Sequence, residues 1–133
     1  MPVSKRTIAI VEDDASYRRA LERLLRASGF EAYTFASAEE FLESAAPESH
    51  GCLILDIHLP GMSGFDLLDR LAASSQLRPA ILITGQDQES LRERACRIPD
   101  SVYLRKPLIG TVLLYAVRSL LRGSGSLAEE PGT

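Results

Sequence analysis

The sequence is short of every feature that would send a chain to a membrane, a secretory route or a nucleic acid. Cysteine occurs twice in 133 residues, at Cys52 and Cys96, so no disulfide framework can staple the fold. Cys52 lies inside an apolar run and reads as a small buried hydrophobe. This sparse thiol usage fits a reducing, cytoplasmic setting. Histidine also occurs twice, at His50 and His58. Both read as loop residues, and no Cys/His set with zinc spacing exists. No apolar stretch approaches the ~20 residues of a membrane-spanning helix. Lys5-Arg6 precedes an apolar stretch that stops at Glu12, too short for a signal-peptide core. Lys and Arg total 15 against 18 Asp and Glu, a net charge of −3, so no basic field invites nucleic acid.

What is present is an ordinary globular composition, 45% hydrophobic and 25% charged, at a length that suits one domain with one core. Apolar strand-like runs alternate with helical patterns. Thr7–Val11 reads as a first strand. A helix over Ala15–Ser28 follows, capped by Asp14 and stopped by Gly29, with Tyr17, Leu21, Leu24 and Leu25 at helical spacing. Glu31–Phe35 alternates as a half-exposed strand. Ser37 caps the next helix, with Glu40 completing a capping box and Pro47 ending the region. Gly51–Asp56 is a strand apolar on both faces, the kind found in the middle of a parallel sheet. A helix over Gly64–Ala73 carries Phe65, Leu67, Leu68 and Leu71. Ala80–Thr84 is a fourth strand, Gln88–Arg97 a charged helix with Leu91 and Ala95 inward, Val102–Arg105 a fifth strand and Leu108–Leu121 the last helix. Strict strand–helix alternation implies an α/β fold, a doubly wound parallel sheet with helices on both faces. From Gly123 the composition turns to Gly-Ser-Gly-Ser-Leu-Ala-Glu-Glu-Pro-Gly-Thr. Residues 5–122 therefore read as the folded domain and 123–133 as a flexible tail or the start of a linker.

The chemistry collects at strand ends. Open α/β sheets bind ligands at the carboxyl ends of their strands. Glu12-Asp13-Asp14 follows the first strand, and Asp56 ends the third. If those strands are neighbours, several carboxylates converge on one crevice, which is costly unless a cation joins them. The pattern points to a divalent-metal site with Asp13 and Asp56 at its centre. Asp14 is assigned to capping the following helix.

Glu12-Asp13-Asp14, then Asp56 before the turn Ile57-His58-Leu59-Pro60-Gly61-Met62-Ser63-Gly64, then Thr84-Gly85, Tyr103 and Lys106-Pro107 stand in one order. This order and spacing resemble the receiver domain of two-component response regulators, over roughly residues 5–122. The turn and Ile83-Thr84-Gly85 look most like receivers attached to helix-turn-helix output domains. The resemblance implies a flavodoxin-like five-stranded sheet of strand order 2-1-3-4-5. It implies that Asp56 is the phosphoacceptor, a carboxylate nucleophile. Mg²⁺ would be held by Asp13, Asp56 and Glu12 and by the backbone carbonyl of His58. Thr84 and Lys106 would contact the phosphoryl group, with Pro107 after a cis peptide bond. Tyr103 would be an aromatic switch that follows Thr84. His58 and Gln86 would flank the attacking water and modulate hydrolysis. The implied partners are a histidine kinase or phosphotransfer protein and an output domain or downstream protein, with a phosphorylation-dependent dimer. The chain would then be no enzyme in its own right but a signalling domain that promotes its own phosphoryl transfer and hydrolysis. The alternative is a receiver-like interaction scaffold not controlled by phosphorylation.

Other uses of such a sheet fit less well. A haloacid-dehalogenase-like phosphatase wants a second Asp two residues after the nucleophile, where this chain has His58. An FMN carrier wants phosphate donors at the first strand end, where Glu12-Asp13-Asp14 would repel phosphate. One departure from the receiver pattern concerns the signalling face. Ile98-Pro99-Asp100 replaces the usual Ala-Gly-Ala, and Pro99 cannot adopt a positive φ, so the turn after the fourth helix is expected to differ locally. Gly85 in place of the commoner Ala is expected to open the phosphate pocket, and Gly110 to weaken the first turn of the last helix.

Overall fold

Three strands that each carry an unbroken apolar run decide the architecture, because each run must be covered on both sides. In the computed structural model, which describes residues 4–44 and 50–122, they stand side by side at the centre of one parallel sheet. The strands are β1 (Ser4–Val11), β2 (Glu31–Phe35), β3 (His50–Asp56), β4 (Ala80–Thr84) and β5 (Ser101–Arg105), in spatial order β2-β1-β3-β4-β5. The helices are α1 (Ala15–Ala27), α2 (Ala38–Leu42), α3 (Gly64–Ala73), α4 (Glu89–Cys96) and α5 (Gly110–Leu121). The expected helix stop at Pro47 and the tail 123–133 lie outside the described residues.

Alternate strand residues feed two cores. Ala9, Val11, Leu53, Leu55 and Leu82 point to one face and meet Phe41, Leu67, Leu68, Leu71 and Ala95 from α2, α3 and α4. Ile8, Ile10, Cys52, Ile54, Ile81 and Ile83 point to the other and meet Leu21, Leu25, Leu113, Val117 and Leu120 from α1 and α5. Every residue of β3 and β4 is buried. The Cys52 thiol sits in this apolar layer, and burial pushes its pKa to about 12. It is inert packing, as read from the sequence.

Local chemistry sets the helix ends. The Asp14 carboxylate accepts from the Tyr17 N–H and caps α1. Ser63 and Asp66 form a reciprocal capping box at α3. At α2 only half of the expected box forms: Ser37 accepts from the Glu40 N–H, but the Glu40 carboxylate accepts from the Ala36 N–H instead of that of Ser37. The last helix begins at Gly110 and not at Leu108, so the glycine opens the helix and does not interrupt it. The turn after α4 takes its positive φ at Asp100, at 55°. Pro99 cannot supply it, so the left-handed step falls one residue later.

One reading needs correction. His50 is not a loop residue: it begins β3 and is 6% exposed. Its ring packs edge-on to Tyr33 at 5.6 Å and against Phe41 at 5.9 Å. A polar ring at a strand start carries no periodicity signal, so only the aromatic neighbours from β2 and α2 reveal its place.

Candidate functional site

Register brings the strand ends together. Val11 pairs with Leu55, and Asp56 pairs with Ile83. Backbone bonds extend the sheet past its strands: Glu12 N–H to Phe35 C=O, Ile57 N–H to Ile83 C=O, and Lys106 N–H to Thr84 C=O at 2.8 Å. Glu12, Asp56, Thr84 and Lys106 therefore emerge along one edge of the sheet. Behind them Gly64 starts α3 against the strand end. A Cβ there would stand 2.7 Å from the Asp56 carbonyl oxygen, so only glycine lets the helix approach so closely.

The centre is a carboxylate cluster closed by one ammonium. Lys106 Nζ lies 2.9 Å from Asp56 Oδ2 and 2.9 Å from Glu12 Oε1. The contact to Asp56 is an aligned hydrogen bond. The contact to Glu12 is an ion pair by distance only, and Glu12 Oε1 has no aligned donor. Asp56 Oδ1 accepts from the His58 N–H at 2.8 Å, and Glu12 Oε2 from the Asp14 N–H at 3.0 Å. Glu12 and Asp56 are buried, at 1% and 5% exposure, whereas Asp13 is exposed. One carboxylate oxygen from each of Glu12, Asp13 and Asp56 lies within 4.8 Å of the others.

Burial raises the Glu12 pKa, and Lys106 only partly opposes this. Burial alone would lower the Lys106 pKa, but its hydrogen bond to Asp56 and its close contact with Glu12 outweigh that and raise it. Three carboxylates against one ammonium leave the cluster short of positive charge. A hard divalent cation suits these all-oxygen donors. The residues therefore fit a Mg²⁺ ion.

The remaining predicted residues surround this centre. Thr84 is 1% exposed, and its hydroxyl is occupied within its own turn, donating to the Gln86 C=O at 3.1 Å and accepting from the Gln86 N–H at 3.0 Å. The Gln86 and His58 side chains are exposed beside the site. The Lys106–Pro107 peptide bond is cis. A Cβ at Gly85 would reach only the Cδ of Lys106, at 4.0 Å, so the glycine leaves that flank open. Tyr103 lies apart from the carboxylates: its hydroxyl donates to Asp87 Oδ1 at 3.0 Å, and the Arg92 guanidinium sits 5.4 Å from its ring centroid.

Two residues escaped the sequence reading. Asp87 gathers Tyr103, Arg92 at 2.6 Å and Arg105 at 3.5 Å. Its side-chain bond to Arg92, with that to Tyr103, holds its pKa below the ordinary aspartate value. Tyr17, assigned only as an inward helix position, places its ring centroid 4.6 Å from Lys106 Nζ and accepts from the Leu108 N–H at 3.2 Å. That second contact spans 91 residues, beyond the reach of any local pattern.

The fold and these residues have counterparts among known proteins. The family model for the response regulator receiver domain matches residues 8–118. Nodulation protein W of Bradyrhizobium diazoefficiens is 40% identical over 114 residues, covering 86% of this chain and 50% of that protein. A response regulator receiver protein from Burkholderia phymatum, known from a crystal structure, is 38% identical with a TM-score of 0.76, over 92% of this chain and 96% of that one. The response regulator StyR is 37% identical with a TM-score of 0.82, over 97% of this chain and 65% of that one. The chain spans about half the length of the curated relatives it matches. A family match over most of the sequence, joined to the same doubly wound sheet, means that this chain belongs to the response regulator receiver domains of two-component signal transduction.

Proposed function

We propose that Asp56 is the phosphoacceptor of this receiver domain and that its phosphorylation, by a partner histidine kinase or phosphotransfer protein, requires Mg²⁺. The observation that carries this reading is the 2.9 Å contact of Lys106 Nζ with Asp56 Oδ2, beside three converging carboxylates. An Asp56 carboxylate oxygen attacks phosphorus, a P–O bond forms, and the donor's P–N bond breaks with its electron pair staying on the leaving nitrogen, so that a phosphohistidine donor protonated on its other ring nitrogen departs as neutral histidine. Glu12, Asp13, Asp56 and the backbone carbonyl of His58 would hold Mg²⁺, which would supply charge neutralisation at the phosphoryl group. Lys106 turns from Asp56 to a phosphoryl oxygen. The Thr84 hydroxyl leaves the Gln86 carbonyl to donate to another. Tyr103 then follows Thr84 inward, and the changed face engages an output domain, a downstream protein or a second copy. His58 and Gln86 stand beside the path of the attacking water and tune the domain's own dephosphorylation without being needed for phosphorylation. The free buried thiol and the family assignment support a cytoplasmic site of action.

The test is intact-mass spectrometry after incubation with acetyl phosphate and Mg²⁺. The wild type should gain one phosphoryl group, and Asp56→Asn none. An undiminished adduct on Asp56→Asn would refute the assignment.

A further inference from the structure

The ammonium that serves Asp56 is held from behind as well as from the front. Lys106 Nζ donates to Asp56 Oδ2 at 2.9 Å and stands at ion-pair distance, also 2.9 Å, from Glu12 Oε1. On another side stands the Tyr17 ring, 4.6 Å from Nζ to centroid, within cation–π range. The same residue reaches past the ammonium: its hydroxyl accepts from the Leu108 N–H at 3.2 Å. Tyr17 thus grips the Lys106-Pro107-Leu108 segment at both ends, by its side-chain charge and by its backbone. It is itself anchored at the acidic cluster, because the Tyr17 N–H donates to the Asp14 cap and the next residue, Arg18, donates to the Glu12 carbonyl at 2.7 Å. Few groups other than an aromatic face can attract an ammonium here without adding a fourth negative charge to the cluster.

We propose that Tyr17 is a positioning residue for phosphoryl transfer, its ring holding the Lys106 ammonium in place as Asp56 loses its charge to the incoming group. This rests on the phosphoacceptor reading of Asp56. Before transfer, the two carboxylates locate Lys106. During transfer the attacking Asp56 oxygen becomes the bridging oxygen of an acyl phosphate, and that attraction weakens. The Tyr17 ring is unchanged by the chemistry, so it keeps Nζ beside the phosphoryl oxygens when the electrostatic partner is being replaced. Ring and hydroxyl have separate roles, since the ring places the ammonium and the hydroxyl places the backbone after it.

The experiment measures phosphoryl incorporation from acetyl phosphate with Mg²⁺ by intact mass, in the full chain. Tyr17→Leu, which removes the ring and the hydroxyl, should slow incorporation about ten-fold. Tyr17→Phe, which keeps the ring, should lose no more than about two-fold. In a Lys106→Ala background Tyr17→Leu should cost no more than the about two-fold allowed for the hydroxyl, since the ring then has no cation to place. Tyr17→Met repeats the test without an aromatic face if Tyr17→Leu fails to fold. The Lys106 ε-methylene protons should carry an upfield ring-current shift that Tyr17→Phe keeps and Tyr17→Leu or Tyr17→Met loses. An unchanged rate in the folded Tyr17→Leu or Tyr17→Met protein, or an equal loss in both backgrounds, overturns this inference and leaves Asp56 as phosphoacceptor. No adduct on the wild type overturns both.

Discussion

The Tyr103 hydroxyl donates a 3.0 Å hydrogen bond to the Asp87 carboxylate. Asp87 lies in the loop that follows Thr84, so one side chain connects the aromatic ring on β5 with the loop whose backbone holds the Thr84 hydroxyl. Arg92 and Arg105 meet the same carboxylate. The bond ties the Tyr103 ring to that loop, and under the proposed switch this is the arrangement before phosphorylation.

Asp87→Ala should therefore free the ring. Tyr103 ring resonances should shift and broaden in NMR spectra recorded without any phosphate mimic. The Arg92 partner lowers the Asp87 pKa, with Tyr103 adding to it. The sign follows: a depressed folded value means that the stabilisation is fully present above the ordinary value of 3.8 and is lost as pH falls through the lower folded value. The Tyr103 signals should thus stay constant from neutral pH down to 3.8 and change only below it. Unshifted Tyr103 resonances in Asp87→Ala would show that the ring is held by packing alone.

Glu12 carries the opposite sign. Burial raises its folded pKa above the ordinary 4.5. Stability from its protonated form is fully present below 4.5 and is lost as pH rises through the raised value. Glu12→Gln resembles the protonated form, so without Mg²⁺ it should stabilise the fold at neutral pH by about 1 kcal/mol. The gain should vanish below pH 4.5. The same variant should bind Mg²⁺ more weakly, because one of the carboxylates proposed to hold the ion is gone. Urea unfolding at two pH values, with and without Mg²⁺, checks both. A variant less stable than wild type at neutral pH would contradict this account of the buried charge.

Gly64→Ala tests how tightly α3 is seated behind Asp56. The added Cβ would stand 2.7 Å from the Asp56 carbonyl oxygen and 3.1 Å from the Ile57 Cα. Both neighbours are backbone, so the strand end must shift. The expected cost is about 1–3 kcal/mol, with slower phosphorylation because Asp56 itself moves. Denaturant midpoints and incorporation rates should fall together. Full activity in a destabilised variant would place the strain away from Asp56.

Asp100 adopts φ 55° after Pro99, and its carbonyl accepts from the Ala80 N–H at 3.0 Å. Asp100→Asn should be tolerated, since both side chains visit the left-handed region. Asp100→Val should cost about 1–2 kcal/mol. Thermal unfolding distinguishes the two, and equal melting temperatures would mean that the turn relaxes around valine.

Much of this was legible in the chain itself. Apolar runs ending at Val11, Asp56 and Thr84 define strands that must be buried on both faces, and the helices between them follow from periodicity and caps. Parallel strands with right-handed crossovers then carry every strand end to one edge. That is why Glu12, Asp13, Asp56, Thr84 and Lys106 could be grouped from their order along the chain. These are local signals, written within one element and the turn that follows it. What the tertiary structure alone decided are contacts between elements distant in sequence. His50 looked like a loop residue until Tyr33, Phe35 and Phe41 were packed around it. Tyr103 was readable as an aromatic near the site, but its partner Asp87 was not. Tyr17 looked like one more inward position of α1, and only the packing of that helix beside the β5–α5 turn set its ring on Lys106. Periodicity records which face of an element is apolar. Which side chain that face meets depends on sheet order and register, and these exist only once the chain has closed on itself.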